Sequence, residues 1–234
     1  MISPKERRPV RRASKAATTQ AVLAIAAAGA TALLANAIEP DGPGAFDRAV
    51  RRDAQSPRLR KVRPLLSPLF PFGLPITYMT TAYATARWLR ARNQGGGPAI
   101  VSSALLGWLT HRLATMAYSR ERPRRPRVKR RMDSYPSGHT TGVTAVALTS
   151  AYVLGRERVI STPQALGVAV IPPAIMGAYR VLADAHWMTD VFGGWLLGGS
   201  VALACNAILA DRPRATYTTS SLRHARRERQ TSEG

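Results

Sequence analysis

Three short stretches of this chain hold the residues whose types and spacing suit work on a phosphate group. The first is Arg120-Glu121-Arg122-Pro123, followed by Arg124, Arg125 and Pro126. The second is Tyr135-Pro136-Ser137-Gly138-His139, and the third runs from Tyr179 and Arg180 through Asp184 and His186 to Asp190. Arginine is a planar fork that matches phosphate oxygens. Ser137 and Gly138 precede an apolar run, where free backbone N–H groups and the helix dipole favour an anion. Two histidines can divide a displacement, one attacking phosphorus and the other protonating the leaving oxygen. A carboxylate four residues after a histidine can share its helical face, fix its tautomer and stabilise its cation. Such a scheme needs no metal and no cofactor. A zinc site built from His139, His186 and Asp190 is the competing arrangement.

These stretches sit at the edges of six apolar runs. The runs are 17–38, about 65–89, about 99–118, 140–154, about 163–178 and 191–210. The first is as long as a bilayer is thick in helical form; a signal peptide is its rival reading. Residues 39–64 are charged and broken by Gly and Pro, and Phe46, Val50 and Leu59 suggest the apolar side of a short surface helix. Prolines 68, 71 and 75 fall in the first half of the second run, which membrane helices tolerate better than soluble ones. Six such runs in 234 residues are hard to bury in a soluble fold. The expectation is an all-α, integral membrane six-helix bundle over 17–210. A disordered basic arm over 1–16 precedes it, and a basic disordered tail over 211–234 follows. An alternating path across the membrane places the three stretches on one face.

Charge and composition narrow the partners. Thirty-four Lys+Arg against thirteen Asp+Glu give a net charge of +21, which points to an anionic membrane surface, a phosphate substrate or nucleic acid. The basic run Arg120–Arg131 lacks the interleaved aromatics that stack bases, so nucleic acid is not expected. The mean hydropathy of -0.12 averages a very apolar middle with basic ends. The single cysteine, Cys205, excludes an internal disulfide and reads as a packed apolar thiol. His111 reads as a packed histidine, Asp184 as facing water, and Arg112 as a buried interhelical partner or a snorkelled end.

Taken together, the stretches resemble the signature of the type 2 phosphatidic acid phosphatase (PAP2) superfamily: K-x6-R-P, P-S-G-H and S-R-x5-H-x3-D. Pro136-Ser137-Gly138-His139 matches the second part, Arg180, His186 and Asp190 the third, and Arg122-Pro123 the end of the first. The resemblance covers about residues 46–210. It implies a metal-independent membrane phosphatase with His186 as nucleophile, Asp190 as its orienting partner and His139 as general acid. Arg122, Ser137, Gly138 and Arg180 would hold the phosphate. The implied substrate is a lipid phosphate: a polyprenyl phosphate or diphosphate, phosphatidic acid or a related glycerolipid phosphate. It also implies an extracytoplasmic site in bacteria, a point on which the nearly balanced loop charges are silent. Two positions depart from the signature. Tyr179 stands where the family has Ser, and Thr115 stands where it has Lys. Arg112, Arg120, Arg124 and Arg125 are candidate stand-ins for that lysine. The departure also leaves open a member that binds lipid phosphate with little or no catalysis.

Overall fold

The structure, a computed structural model, describes residues 13–38, 43–123 and 133–212. Most of the expected arm and tail, and the basic residues 124–131 with Arg124 and Arg125, lie outside these residues. Among the described residues the fold is all-helical, with no strand. The helices are α1 (Lys15–Ala37), α2 (Ala45–Ala54), α3 (Pro57–Arg60), α4 (Arg63–Leu66), α5 (Pro75–Ala91), α6 (Gly97–Ala117), α7 (Gly138–Arg156), α8 (Thr162–Leu182) and α9 (Met188–Ala210). Three of them, α1, α8 and α9, are long and apolar enough to cross a membrane. Large apolar side chains point outward from α1, α6 and α8, among them Ile25, Leu33, Leu105, Leu113, Leu166 and Val170.

The second apolar run differs from its expected form. Helix α5 begins only at Pro75, and residues Ser67–Gly73 form a 3₁₀ segment instead. Pro68 and Pro71 remove the N–H groups that an α-helix would need there, and a tight 3₁₀ turn leaves fewer of them missed. That segment folds inward: a Cβ on Gly73 would meet the ring of His139 at 2.3 Å. The chain needs glycine there for this approach.

Helix α7 lies at the centre, packed against α5, α6, α8 and α9, while α1 lies along α9. Small residues let α7 and α9 meet backbone to backbone. A Cβ on Gly198 would stand 2.5 Å from the carbonyl oxygen of Thr141, the close approach that small-residue spacing permits between apolar helices. The threonines 140, 141, 144 and 149 of α7 are buried in that seam. Cys205 is buried beside Ala145 and Val201, as a packed thiol should be.

Hydrogen bonds tie the helix ends into two groups. At one end the Ser14 N–H donates to Asp211 Oδ1 at 2.8 Å. There too Arg156 donates to the carbonyls of Leu209 and Arg212, and Gln94 Nε2 donates to the Glu157 carbonyl at 3.5 Å. The start of α1 and the end of α9 therefore share one end of the molecule. The three stretches meet at the other.

Helix α2 is held at that second end. Val50 and Ala54 pack on Val181 and Val191, and Phe46 stacks on Phe192 with ring centroids 6.0 Å apart. Arg51 grips Asp184 through Nε at 2.7 Å and Nη2 at 2.9 Å, and this carboxylate raises the Arg51 pKa. Asp184 thus does not face water as expected. It has a positive φ of 55° and closes the turn after α8 while pairing with α2.

Candidate active site

His186 sits in the turn between α8 and α9, wholly enclosed by protein. Its Nδ1 lies 2.9 Å from the Ser134 carbonyl oxygen and 3.5 Å from Asp190 Oδ2. Both neighbours are acceptors, so the proton belongs on Nδ1 and the lone pair on Nε2. Nε2 faces Arg122 Nη1 at 3.2 Å. Burial pushes the His186 pKa down to about 4, against a smaller upward pull from its hydrogen bond to Asp190. The ring is therefore neutral at ordinary pH, with its free nitrogen aimed where a guanidinium would place an anion. Sequence spacing pointed to Asp190 as the orienting partner. The carbonyl of Ser134 is nearer, and no side-chain pattern could have revealed a backbone oxygen.

Asp190 is fully buried in the first turn of α9 and its oxygens are crowded with donors. The Trp187 N–H donates to Oδ2 at 2.8 Å and the Ser134 hydroxyl donates to the same oxygen. Arg120 Nη1 donates to Oδ1 at 2.6 Å. The second stretch is locked to the third by the Ser137 N–H, which donates to the Asp190 carbonyl at 3.0 Å. That N–H is consequently unavailable to a phosphate. The Ser137 hydroxyl is buried and accepts from Thr140 Oγ1 at 3.0 Å. The first α7 bond is made by Thr141 N to the Ser137 carbonyl, which leaves the N–H groups of Gly138, His139 and Thr140 as the free donors of the helix start.

The arginines divide into two kinds. Arg122 is anchored by Asp133, with Nε donating to Oδ1 at 2.9 Å and Nη2 to the carbonyl at 3.2 Å. That leaves its Nη1 edge toward His186. Arg180 is buried, 7% exposed. Its side chain has no hydrogen bond or ion pair to any described residue, and its Nε is left without a partner. Its guanidinium lies 6.0 Å from the Phe70 ring and within electrostatic reach of His186, His139 and Arg122. A buried cation with no partner is costly, and a site that keeps one is built for an anion. Arg120 is the opposite case. It was a candidate stand-in for the missing lysine, but both its Nη atoms are taken, by Asp190 Oδ1 and by Asp47 Oδ2 at 2.6 Å. Arg112 is exposed on α6 rather than buried between helices.

His139 opens α7 beneath the 3₁₀ segment, 5.3 Å from the Phe70 ring, and its buried Nε2 has no partner. His111 of α6 packs against Gly138, where a Cβ would stand 2.5 Å from its Nε2. It is packed, as expected, yet its buried Nδ1 is also unpartnered. Thr115 is one turn further along and its hydroxyl donates to the Arg112 carbonyl at 2.9 Å. Residues from α6, α7, α8, α9 and the loops between them thus bring together the neutral His186 ring, two histidines each with an unpartnered buried nitrogen, and two arginines. That arrangement fits attack on a phosphoryl group.

Comparison with known proteins agrees in kind. A family model described as PAP2 superfamily matches residues 98–214, half of the chain. A decaprenylphosphoryl-5-phosphoribose phosphatase of Mycobacterium tuberculosis is 34% identical over 101 residues, covering 41% of this chain and 51% of the relative. An undecaprenyl-diphosphatase of Sulfolobus acidocaldarius is 32% identical over 81 residues, 34% of this chain and 35% of the relative. The chain spans about half the length, or less, of these curated relatives. In fold it is similar to a transmembrane PAP2 type phosphatidylglycerolphosphate phosphatase from Bacillus subtilis. The TM-score is 0.61 at 22% identity, covering 83% of this chain and 98% of the other.

Proposed function

The chain belongs to the PAP2 superfamily, and from that premise we propose that it is a multi-pass membrane phosphatase that hydrolyses a lipid phosphate or diphosphate through a phosphohistidine on His186. The observation that carries the reading is the neutral His186 Nε2 set against Arg122, with the unpartnered Arg180 close by. Arg122, Arg180 and the free N–H groups at the start of α7 hold the phosphoryl oxygens, Ser137 and Gly138 shaping that turn. Nε2 attacks phosphorus in line, the P–O bond to the lipid breaks, and His139 gives its proton to the departing oxygen. The Ser134 carbonyl and Asp190 stabilise the cationic ring. Water then attacks phosphorus, His139 takes its proton, and the P–N bond breaks to release phosphate and free His186.

A lipid substrate is favoured by an apolar cleft of about 500 Å³ between α5, α7 and α8. Its walls include Leu69 and Phe72 of the same 3₁₀ segment that covers His139 with Phe70. An acyl or prenyl chain in that cleft has its head end beside the histidines. The six helices of 17 to 23 residues would each cross the bilayer, with both chain ends in the cytoplasm and the site on the extracytoplasmic face. Phosphate release from a panel of prenyl and glycerolipid phosphates by the purified protein in detergent tests the reading. Turnover should persist in EDTA. Activity lost to EDTA and restored by magnesium would refute the metal-free route. Binding without release would favour a lipid-phosphate-binding member whose catalysis fell with the lysine replaced by Thr115.

A further inference from the structure

Asp47 is a carboxylate that the mechanism above does not use. It lies on α2, outside the residues that match the PAP2 model, and is only 3% exposed. Its Oδ2 accepts from Arg120 Nη2 and from the Thr189 hydroxyl, both at 2.6 Å, and its Oδ1 accepts from the Thr189 N–H at 3.0 Å. Arg120, equally buried, passes its other Nη to Asp190 Oδ1. Its guanidinium lies 5.8 Å from the Trp187 ring, the residue next to His186. One arginine therefore bridges two buried carboxylates, and one of the two is the carboxylate beside the nucleophile.

The charges of this cluster do not cancel. Two carboxylates and one guanidinium leave one negative charge in a place water does not reach. A buried pair alone is weak support for a fold, and α2 is already fastened by Arg51 to Asp184 and by Gln55 Nε2 to the Leu182 carbonyl at 3.3 Å. The extra charge finds its balance when His186 becomes cationic, which happens as its Nε2 bonds to phosphorus. An interaction that is complete only in that state lowers the barrier. Without Asp47, Arg120 would neutralise Asp190 and leave it little to offer the ring.

We propose that Asp47 and Arg120 are positioning residues of the catalytic centre: Arg120 holds Asp190 in place, and Asp47 supplies the charge that keeps Asp190 effective toward His186. This rests on His186 being the reacting group. The charged and titratable groups facing His186 are Asp190 of α9, Arg122 of the loop before α7, Arg180 of α8 and His139 of α7, with His111 of α6 behind His139. Asp47 reaches the ring only through Arg120.

The test uses the full chain in detergent, with Asp47→Asn, the double variant Asp47→Asn/Arg120→Gln, and Arg51→Gln as a control that loosens α2 without removing a bond to Asp47, Arg120 or Asp190. Histidine is labelled with ¹⁵N and the His186 signal is assigned by its loss in His186→Asn. Turnover is read on a short-chain lipid phosphate. Asp47→Asn should lower the His186 midpoint by about one pH unit and cut kcat by roughly tenfold or more, with KM changed by less than about threefold. The double variant restores the single negative charge, so its midpoint should return to the parent value. Asp47→Asn that loses only thermal stability, with midpoint and kcat matching the Arg51→Gln control, overturns the proposal. So does a fall in kcat with no shift of the midpoint. Should Asp47→Asn not fold, the double variant, which keeps the parent's single buried negative charge, decides alone: a parent-like midpoint supports the proposal and a shifted one overturns it. The titration needs no turnover, so a protein that hydrolyses no phosphate ester would end the phosphatase reading and leave this test intact.

Discussion

Arg180→Met separates a charge kept for a ligand from a charge kept for the fold. The guanidinium is buried, makes no hydrogen bond or ion pair to any described residue, and has only the Phe70 ring at 6.0 Å. Burying a charge costs several kcal/mol even after relaxation, and without substrate little here offsets it. Methionine keeps most of the apolar stem. The ligand-free variant should therefore be more stable than the parent by about 1–3 kcal/mol, a Tm rise of roughly 2–12 °C for a chain of this size. Phosphate binding should move the other way. Two charge-assisted hydrogen bonds from the fork contribute about 1.5–3 kcal/mol each, so affinity for vanadate should fall by roughly 10²–10⁴-fold. Thermal unfolding in detergent with and without vanadate reads both effects. The reasoning is refuted if the ligand-free variant melts more than about 2 °C below the parent, or if vanadate protects it as well as the parent. Arg120→Met supplies the contrast. It leaves two carboxylates unpaired in the interior and should cost about 3–5 kcal/mol.

His186→Asn should abolish turnover and phosphoenzyme formation. His139→Asn should slow poor leaving groups by about 10²–10⁴-fold and allow labelled phosphate to be trapped on His186, whereas label retained by His186→Asn would overturn the assignment. Because burial holds the His186 pKa near 4, the attacking lone pair is present above that pH and lost below it. The acid limb of kcat/KM should thus lie well under the ordinary imidazole value, and a limb near pH 6.5 would contradict the burial of the ring. Thr115→Lys should tighten vanadate binding if the family's lysine position is simply vacant, and Arg112→Ala should match the parent in turnover because that side chain is exposed. For topology, single cysteines at Ala13 and Ser119, both exposed, in a Cys205→Ala background should differ toward an impermeant thiol reagent on intact cells. Labelling at Ala13 but not at Ser119 would place the site in the cytoplasm.

The helices were legible because apolar runs with Gly and Pro punctuation bound them. Gly97-Pro98 opens α6, and the Ser161–Gln164 capping box with Pro163 opens α8. What the runs could not show was where the second would break. Hydropathy continues smoothly from Leu65 to Leu89, but the chain abandons the α-helix for a 3₁₀ segment at Ser67–Gly73. The reason is backbone chemistry, the missing N–H groups of Pro68 and Pro71, and it matters because that segment brings Phe70 and Gly73 onto His139.

Within the site, spacing singled out residues that the structure brings together and gave no sign of those that hold them. His186, Asp190, Arg180 and Arg122 announce themselves by type and interval. Arg120 carries the same side chain two residues before Arg122, and nothing in the sequence distinguishes a guanidinium aimed at a phosphate from one enclosed by carboxylates. The distinction lies in what α2 delivers. Asp47 sits among Arg48, Arg51 and Arg52 on a helix that reads as a surface element, and its burial requires Val50 and Ala54 to seat α2 on Val181 and Val191. Once Asp47 is inside, Arg120 is no longer free for a ligand. In the proposed reading the phosphate is left to Arg122, whose Nη1 lies toward His186 Nε2 and the Ala185 carbonyl, and to Arg180, whose side chain has no described hydrogen-bond partner. Arg120 thus does not make good the departure at Thr115, because it answers to a carboxylate some seventy positions earlier.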